Sequence, residues 1–210
     1  MPEVLKTSKS KNALFRLGFI FILLVAISLL TTVCSGKTDE IPDQFRVLSI
    51  NSLYPRALKV AKDWKDDAYL NGVSLWVAPI DDRHPLQAFY GFESKSDPEW
   101  LIIVFNETDT GIEITETKTG SYPSGTGRPE LDLSQVMFDS QEAFEKIYKE
   151  EGEEIFKRYP GMIYPIVLDI TKFPDQDPKW VAIFDPDRST TWRISMDAKT
   201  NEILEVKIYE

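Results

Sequence analysis

The sequence is poor in the two residue types that most often carry reactive chemistry, because it has one cysteine, Cys34, and one histidine, His84, among 210 residues. A single cysteine excludes an intramolecular disulfide. The same counts exclude a zinc site built from cysteine and histidine. We interpret His84 as an exposed loop residue rather than a base oriented by Asp81 or Asp82, because no Gly-x-Ser-x-Gly nucleophile context accompanies it. We therefore expect no enzymatic activity.

Basic residues are fewer than acidic ones, 24 against 34. The formal net charge is −10, and residues 1–33 hold four basic residues and one acidic residue. The rest of the chain therefore carries 20 basic and 33 acidic residues. Such a surface repels phosphate backbones, so nucleic-acid binding is not expected. The glycine-rich stretch 120–127 lacks the lysine of a phosphate-binding loop.

Long uncharged runs are missing except at the N-terminus, where Leu17–Gly36 contains 20 residues without charge. A helix of that length spans about 30 Å, the thickness of a bilayer core. The basic residues before it predict that the N-terminus stays in the cytoplasm and that the rest is exported. Residues 1–36 are therefore predicted to be a signal peptide or a membrane anchor.

Three outcomes of this export remain open. The segment is an uncleaved anchor, or it is cleaved near Ser35, or Cys34 is lipidated. The last resembles a bacterial lipoprotein signal, since Cys34 ends the apolar run and a polar stretch follows. Val33 departs from that pattern, in which a small residue precedes the cysteine. All three outcomes place residues 37–210 outside the cytoplasmic membrane, so localisation at the extracytoplasmic face of that membrane is expected.

The exported part predicts a polar tether over residues 37–49, followed by alternating helices and strands. Apolar residues at helical spacing predict a helix over about residues 53–69, which Asn71-Gly72 would end. A second helix is predicted to begin at the capping residue Asp139 and to end before Pro160. Predicted strands cover 73–80, 86–93, 100–105, a fraying polar strand after Gly111, 162–170 (an edge or bulged strand, because of Pro165), 180–184, 191–196 and 203–208.

Two stretches share the same order of features. Asp97-Pro98-Glu99-Trp100 and Asp177-Pro178-Lys179-Trp180 each lead into an apolar strand and then an alternating one, and each follows a predicted helix. This echo predicts two copies of one local fold, over 50–118 and 138–210, joined by a linker over 119–137 that is rich in glycine, proline and serine.

The second stretch resembles a PepSY domain, a small α+β module of peptidase propeptides and exported bacterial proteins. The resemblance is carried by Lys179–Phe184 and by Trp192–Ile203, in which Asp-Ala-Lys-Thr-Asn-Glu stands for the family's Asp-Ala-x-Thr-Gly-Glu turn. Asn201 replaces glycine there and tolerates a left-handed backbone. The fold expected is α+β: two similar units, each a helix packed on a small antiparallel sheet. The resemblance implies binding to, or restraint of, peptidases or other envelope proteins.

One loop has a partial pattern of calcium ligands, at Asp185, Asp187 and Ser189. Thr190 stands where a calcium loop has glycine, and Met196 where it has a bidentate glutamate, so a plain turn is the preferred interpretation. Asp169, Asp175 and Asp177 could add ligands only if the fold brings them near. No cofactor is expected.

These observations lead to one expectation and one rival. The expectation is a non-enzymatic, membrane-tethered, extracytoplasmic binding protein, attached through residues 17–36 or a lipidated Cys34, with strand addition at a sheet edge as a route of binding. The rival is a module that senses a small ligand or a metal ion, in the cleft between the two units or at the Asp185 loop.

Overall fold

The computed structural model describes residues 45–79, 85–121, 128–160, 166–187 and 189–210, all within one compact unit, residues 41–210. The elements in chain order are β1 (Phe45–Arg46), α1 (Ile50–Trp64), β2 (Tyr69–Pro79), β3 (Gln87–Glu93), β4 (Glu99–Thr108), β5 (Gly111–Ser121), a 3₁₀ turn (Leu133–Gln135), α2 (Ser140–Ile147), a π-helical turn (Tyr148–Gly152), α3 (Glu153–Arg158), β6 (Ile166–Thr171), β7 (Lys179–Phe184), β8 (Thr191–Asp197) and β9 (Ile203–Tyr209). The predicted combination of α-helices with an antiparallel sheet is confirmed.

The strands form one large antiparallel sheet in the order β5-β4-β3-β2-β6-β7-β8-β9, and β1 pairs with β2. Each helical segment precedes a run of four strands in which sequence neighbours pair. The two runs meet where β2 pairs with β6, from Gly72 opposite Thr171 to Val77 opposite Ile166. The two small sheets that the sequence predicted are therefore joined into a single sheet.

One face of this sheet carries the core. Cross-strand register places Tyr90, Val73, Ile170 and Trp180 in one row on that face, and all four are buried. The Tyr90 hydroxyl donates to the carbonyl of Ile50 in α1 at 2.7 Å. At the other end of the sheet, Phe184 of β7 contacts Phe156 of α3, with ring centroids 6.4 Å apart. Both helical segments thus cover the same face, which we call the covered face.

The first helix begins earlier than its apolar stripe indicated. Ser49 caps α1, accepting a hydrogen bond from the Ser52 backbone N–H at 3.1 Å, and Pro55 lies inside the helix. The predicted stop at Asn71-Gly72 is wrong, because both residues lie in β2 at a bulge where the pairing with β3 shifts register.

The second helical segment starts where its cap predicted. Asp139 forms a capping box with Glu142, and the segment runs to Arg158 through the π-helical turn. The next strand was predicted to be an edge or a bulged strand, and the edge alternative is wrong for Ile166–Thr171, because β6 pairs on both sides, with β2 and β7. Pro165 lies outside the described residues.

The predicted tether, linker and membrane segment have different outcomes. Phe45, Val47 and Leu48, at the end of the predicted tether, are buried in the core. The edge strand β5 runs to Ser121, into the stretch assigned to the linker. No helix among the described residues is long and apolar enough to cross a membrane, and the predicted segment 17–36 with Cys34 lies outside them.

Candidate functional site on the open sheet face

The second face of the sheet points away from both helical segments, and we call it the open face. Alternation within the strands places half-buried side chains there, and most of them are apolar or aromatic. They include Trp76, Phe89, Ile102, Val167, Asp169, Ile183 and Arg193. A half-exposed apolar sheet face with a few charges is a surface suited to binding.

A cavity of about 620 Å³ lies on this face, over the junction of β2 and β6. Phe89 and Ile102 form part of its apolar wall. Its charged lining residues are Asp169, Arg128, Lys172 and Arg193. That volume is within the range of small-molecule sites, which is about 300–1,000 Å³, and this combination of groups suits a ligand with both an apolar part and a polar end.

Asp169 is the most unusual group in the cavity. Burial raises the pKa of its carboxyl above the ordinary value, although a hydrogen bond from Ser74 and the charges of Arg193 and Arg128 act in the opposite direction. Its Oδ1 atom is buried and has no hydrogen-bond partner among the described residues. A buried polar atom without a hydrogen-bond partner lowers the stability of the fold. This oxygen can therefore accept a hydrogen bond from a ligand that reaches it.

A second polar cluster holds one side of the cavity in place. Glu93, at the end of β3, is only 2% exposed. Its carboxylate accepts hydrogen bonds from the Tyr69 hydroxyl at 2.8 Å, the Asn71 amide at 2.7 Å and the Arg128 backbone N–H at 2.8 Å. Nearby, the Leu131 N–H donates to the Leu70 carbonyl at 2.8 Å. Glu93 therefore positions the segment that carries Arg128 beside the open face.

No sequence pattern indicated Glu93, Arg128 or Arg193. Their roles depend on the pairing of β2 with β3 and β6, of β6 with β7 and of β7 with β8, which brings together residues far apart in the chain. A local signal did exist for Asp169, since it is the one charged residue of the alternating strand Ile166–Thr171.

In the loop with the partial calcium pattern, the acidic side chains accept hydrogen bonds from neighbouring residues. Asp187 Oδ1 accepts from the Ser189 N–H at 2.7 Å, the Ser189 hydroxyl at 2.8 Å and the Thr190 N–H at 2.8 Å. The backbone N–H and hydroxyl of Ser189 hold the pKa of Asp187 below its ordinary value. Asp185 Oδ1 accepts from the Thr191 hydroxyl at 2.6 Å.

The acidic residues considered as additional ligands have other surroundings. Asp169 lies in the cavity, and Asp177 pairs with Lys199 at 2.6 Å on the surface. Across the part of the chain that the structure describes, no group of three or more metal-ligating side chains converges. His84 lies outside the described residues.

We expect the Asp169→Asn variant to be more stable than the wild type at pH 7. A carboxyl whose pKa is raised by folding contributes stability below its unfolded pKa, about 3.9, and that contribution is lost as the pH rises through the folded pKa. Asparagine stays neutral and keeps an acceptor for Ser74. Thermal melts should therefore show a stability gain for the variant that shrinks as the pH falls to about 3. A variant less stable by the same margin at every pH would contradict this.

No protein-family model matches this chain, and no curated protein does. One solved structure to which it is similar is the dehydratase domain from the CurF module of curacin polyketide synthase. The two chains are 9% identical, the match covers 78% of this chain and 85% of that one, and the TM-score is 0.20. A similarity at that level supports no inference about fold or activity.

Proposed function

We propose that this protein is a non-enzymatic binding protein whose ligand lies on the open face of the sheet. The carrying observation is the cavity over the β2–β6 junction, where apolar walls and charged side chains meet on a face that neither helical segment covers. An extended segment of another protein suits this surface, because Phe89 and Ile102 can pack on side chains while Arg128 and Arg193 bind carboxylates.

The proposed place of action is the extracytoplasmic face of the cell membrane, and the proposed attachment is the 17–36 segment or a lipidated Cys34. The uncharged run behind a basic N-terminus supports this. The proposed ligand is a peptidase or another envelope protein. The resemblance to a PepSY domain supports that choice. Asn201, in the glycine position of the PepSY turn, has a φ of 62°, a left-handed conformation that glycine adopts readily.

We further propose that the two halves are related PepSY-like units. The support is the order of elements, since each helical segment is followed by four strands. In this proposal the β2–β6 pairing joins the two units, so the cavity lies between them. The small-ligand hypothesis also assigned its site to a cleft between the units.

The experiment compares capture of envelope proteins by the full-length chain, purified in mild detergent, with capture by two variants. Ile102→Glu places a charge in the apolar wall, and we expect it to reduce the recovery of specific ligands about tenfold, as the loss of a central contact does. Lys59→Glu, on the exposed side of α1, is the control and should capture as the wild type does. Equal losses for both variants, or none for either, would contradict the proposal.

A second candidate function is sensing of a small ligand in the same cavity. The specific observation in its favour is the partnerless oxygen of Asp169 within the described part of the chain, which suits an amine or amide donor. A ligand of the native state raises the melting temperature increasingly as its concentration exceeds its dissociation constant. A panel of small metabolites and calcium that raises the wild-type melting temperature, but not that of Asp169→Asn, would favour this function over the first.

A further inference from the structure

The last strand, β9, is an open edge with an apolar character. It ends the sheet order and, within the described part of the chain, pairs on one side only, with β8. Its side chains Leu204, Val206 and Ile208 are 47%, 37% and 46% exposed. The opposite edge strand, β5, has a Glu116–Lys118 pair much like the Glu205–Lys207 pair of β9, but its apolar residues Ile112 and Ile114 are less exposed than those of β9.

We propose that β9 is a self-recognition edge, at which a second copy of this chain pairs antiparallel with it around a two-fold axis at Val206. In that register Glu205 lies opposite the partner's Lys207, and Lys207 opposite the partner's Glu205. The two Val206 side chains meet at the axis. Regular pairing of β9 with β8 runs from Glu205 to Tyr209 and shifts register beyond Glu205, so the proposed facing arrangement covers Glu205–Lys207. Opposite charges and apolar pairs in directly facing positions stabilise antiparallel strands.

The neighbouring registers lack this complementarity. In an antiparallel pair, facing side chains lie on the same face of the sheet. A two-fold axis perpendicular to the sheet must therefore pass midway between two copies of the same residue. Centring on Glu205 would place two carboxylates opposite each other, and centring on Lys207 would place two ammonium groups opposite each other. Like charges in facing positions are destabilising. Registers centred on Leu204 or Ile208 avoid them but do not place Glu205 opposite Lys207, so only the register centred on Val206 forms both opposite-charge pairs.

The side chains on both faces of β9 also suit pairing with a second copy of this chain. Val206 pairs with Ile194 and Ile208 with Trp192, so both lie on the covered face beside the core. Glu205 and Lys207 lie on the open face, where their side chains pair at 2.8 Å and are half exposed. A facing copy would offer each of these groups a second partner of opposite charge and would cover the apolar stripe. Closed two-fold pairing of this kind uses one surface on both copies.

Disulfide trapping tests the register directly. The full-length chain with Cys34→Ser, in mild detergent, receives either Val206→Cys or Ile208→Cys. Facing residues have Cα atoms about 4.5–5.5 Å apart, within disulfide range. Two copies of residue 208 would instead be four residue positions apart, about 13 Å. We expect mild oxidation to give covalent dimers of Val206→Cys and at least about tenfold less of Ile208→Cys, since only the first pair meets the distance requirement.

Charge reversal provides the second readout. Glu205→Lys and Lys207→Glu should each raise the dimer dissociation constant about tenfold, because both facing pairs become repulsive. Mixing the two variants should restore dimers as a mixed species, since each strand then faces its complement. Melting temperatures close to that of the wild type would show that both variants fold.

Three outcomes would overturn the proposal: equal trapping at positions 206 and 208, no recovery on mixing, or a monomeric chain in which the thiol introduced by Val206→Cys is protected from thiol reagents. The last would mean that another segment or another protein covers the edge. No residue of β9 lines the cavity, but Lys207 lies opposite the cavity residue Arg193. The trapping experiment at Val206, which lies on the covered face, is therefore the readout that is independent of the capture experiment with Ile102→Glu.

Discussion

Replacing Glu93 with alanine should lower the free energy of unfolding by about 3 kcal/mol, the cost expected when buried donors lose a charged acceptor. Three donors converge on this carboxylate, and Asn71, one of them, is only 6% exposed. For a domain of this size, we expect the melting temperature to fall by about 6–12 °C. Denaturant and thermal unfolding of the full-length chain measure this.

Two variants sharpen the test of Glu93. Glu93→Gln keeps the shape but offers one carbonyl oxygen to three donors, so we expect about half of the alanine effect. Glu99→Ala removes a surface carboxylate that pairs with Lys65 at 2.8 Å, and we expect it to cost less than about 1 kcal/mol. If Glu93→Ala and Glu99→Ala cost the same, the cluster does not hold the segment of Arg128 as we describe.

The second large effect concerns Asp139, which serves both helical segments. Its Oδ1 accepts from the Ser140 N–H at 2.8 Å in its own helix and from the Ile50 N–H at 3.0 Å in α1. Its Oδ2 accepts from the Ser49 hydroxyl. Asp139→Ala therefore removes a capping box and leaves a backbone donor of α1 without this acceptor. The Ile50 N–H keeps one other acceptor, the Ser140 hydroxyl at 3.1 Å. We therefore expect a loss of about 2 kcal/mol, from a cap worth about 1 and weakened hydrogen bonds of Ser49 and Ile50 worth about 1.

The measurement is again equilibrium unfolding, followed by circular dichroism and by tryptophan fluorescence. Asp139→Asn keeps an acceptor and should cost less than about 1 kcal/mol. Asp132→Ala is the matched control, because Asp132 caps only the 3₁₀ turn, at 2.9 Å from the Ser134 N–H. Equal effects of the alanine variants at 132 and 139 would show that Asp139 does not link the helices energetically.

The strands of the last third could be predicted because their side chains alternate. In the predicted strand 191–196, Trp192, Ile194 and Met196 alternate with polar residues, which predicts that they point inward, and they are 9%, 0% and 0% exposed. The cap at Asp139 was also visible, since Asp and Glu three residues apart form a local motif. Signals of this kind act over a few residues and are readable without the tertiary structure.

The errors have physical causes as well. Proline suits the first turn of a helix, so Pro55 favours a start near residue 53, but α1 begins at Ile50 and contains the proline within it. Asn71-Gly72 has the composition of a helix stop but forms a bulge in β2. Composition does not distinguish a turn from a bulge, because glycine suits both.

Most of the candidate site could not be predicted from the sequence. The cavity exists because β2 pairs with β6, a strand from the other half of the chain. That pairing depends on the packing of both helical segments on one face, and no local pattern encodes it. The sequence indicated a cleft between the units, but it did not identify Arg193 or Glu93, whose neighbours come from other strands.

The most direct test of the central claim is photo-crosslinking from the open face in intact cells of the source organism. A benzophenone amino acid replaces Phe89 on the open face in one strain, and Tyr54 of α1 in another. Both native residues are half-buried aromatics, so the pair is matched. If the open face binds an envelope protein, position 89 gives a discrete adduct and position 54 does not. Adducts from position 54 alone, or the same adducts from both positions, would contradict the proposed function.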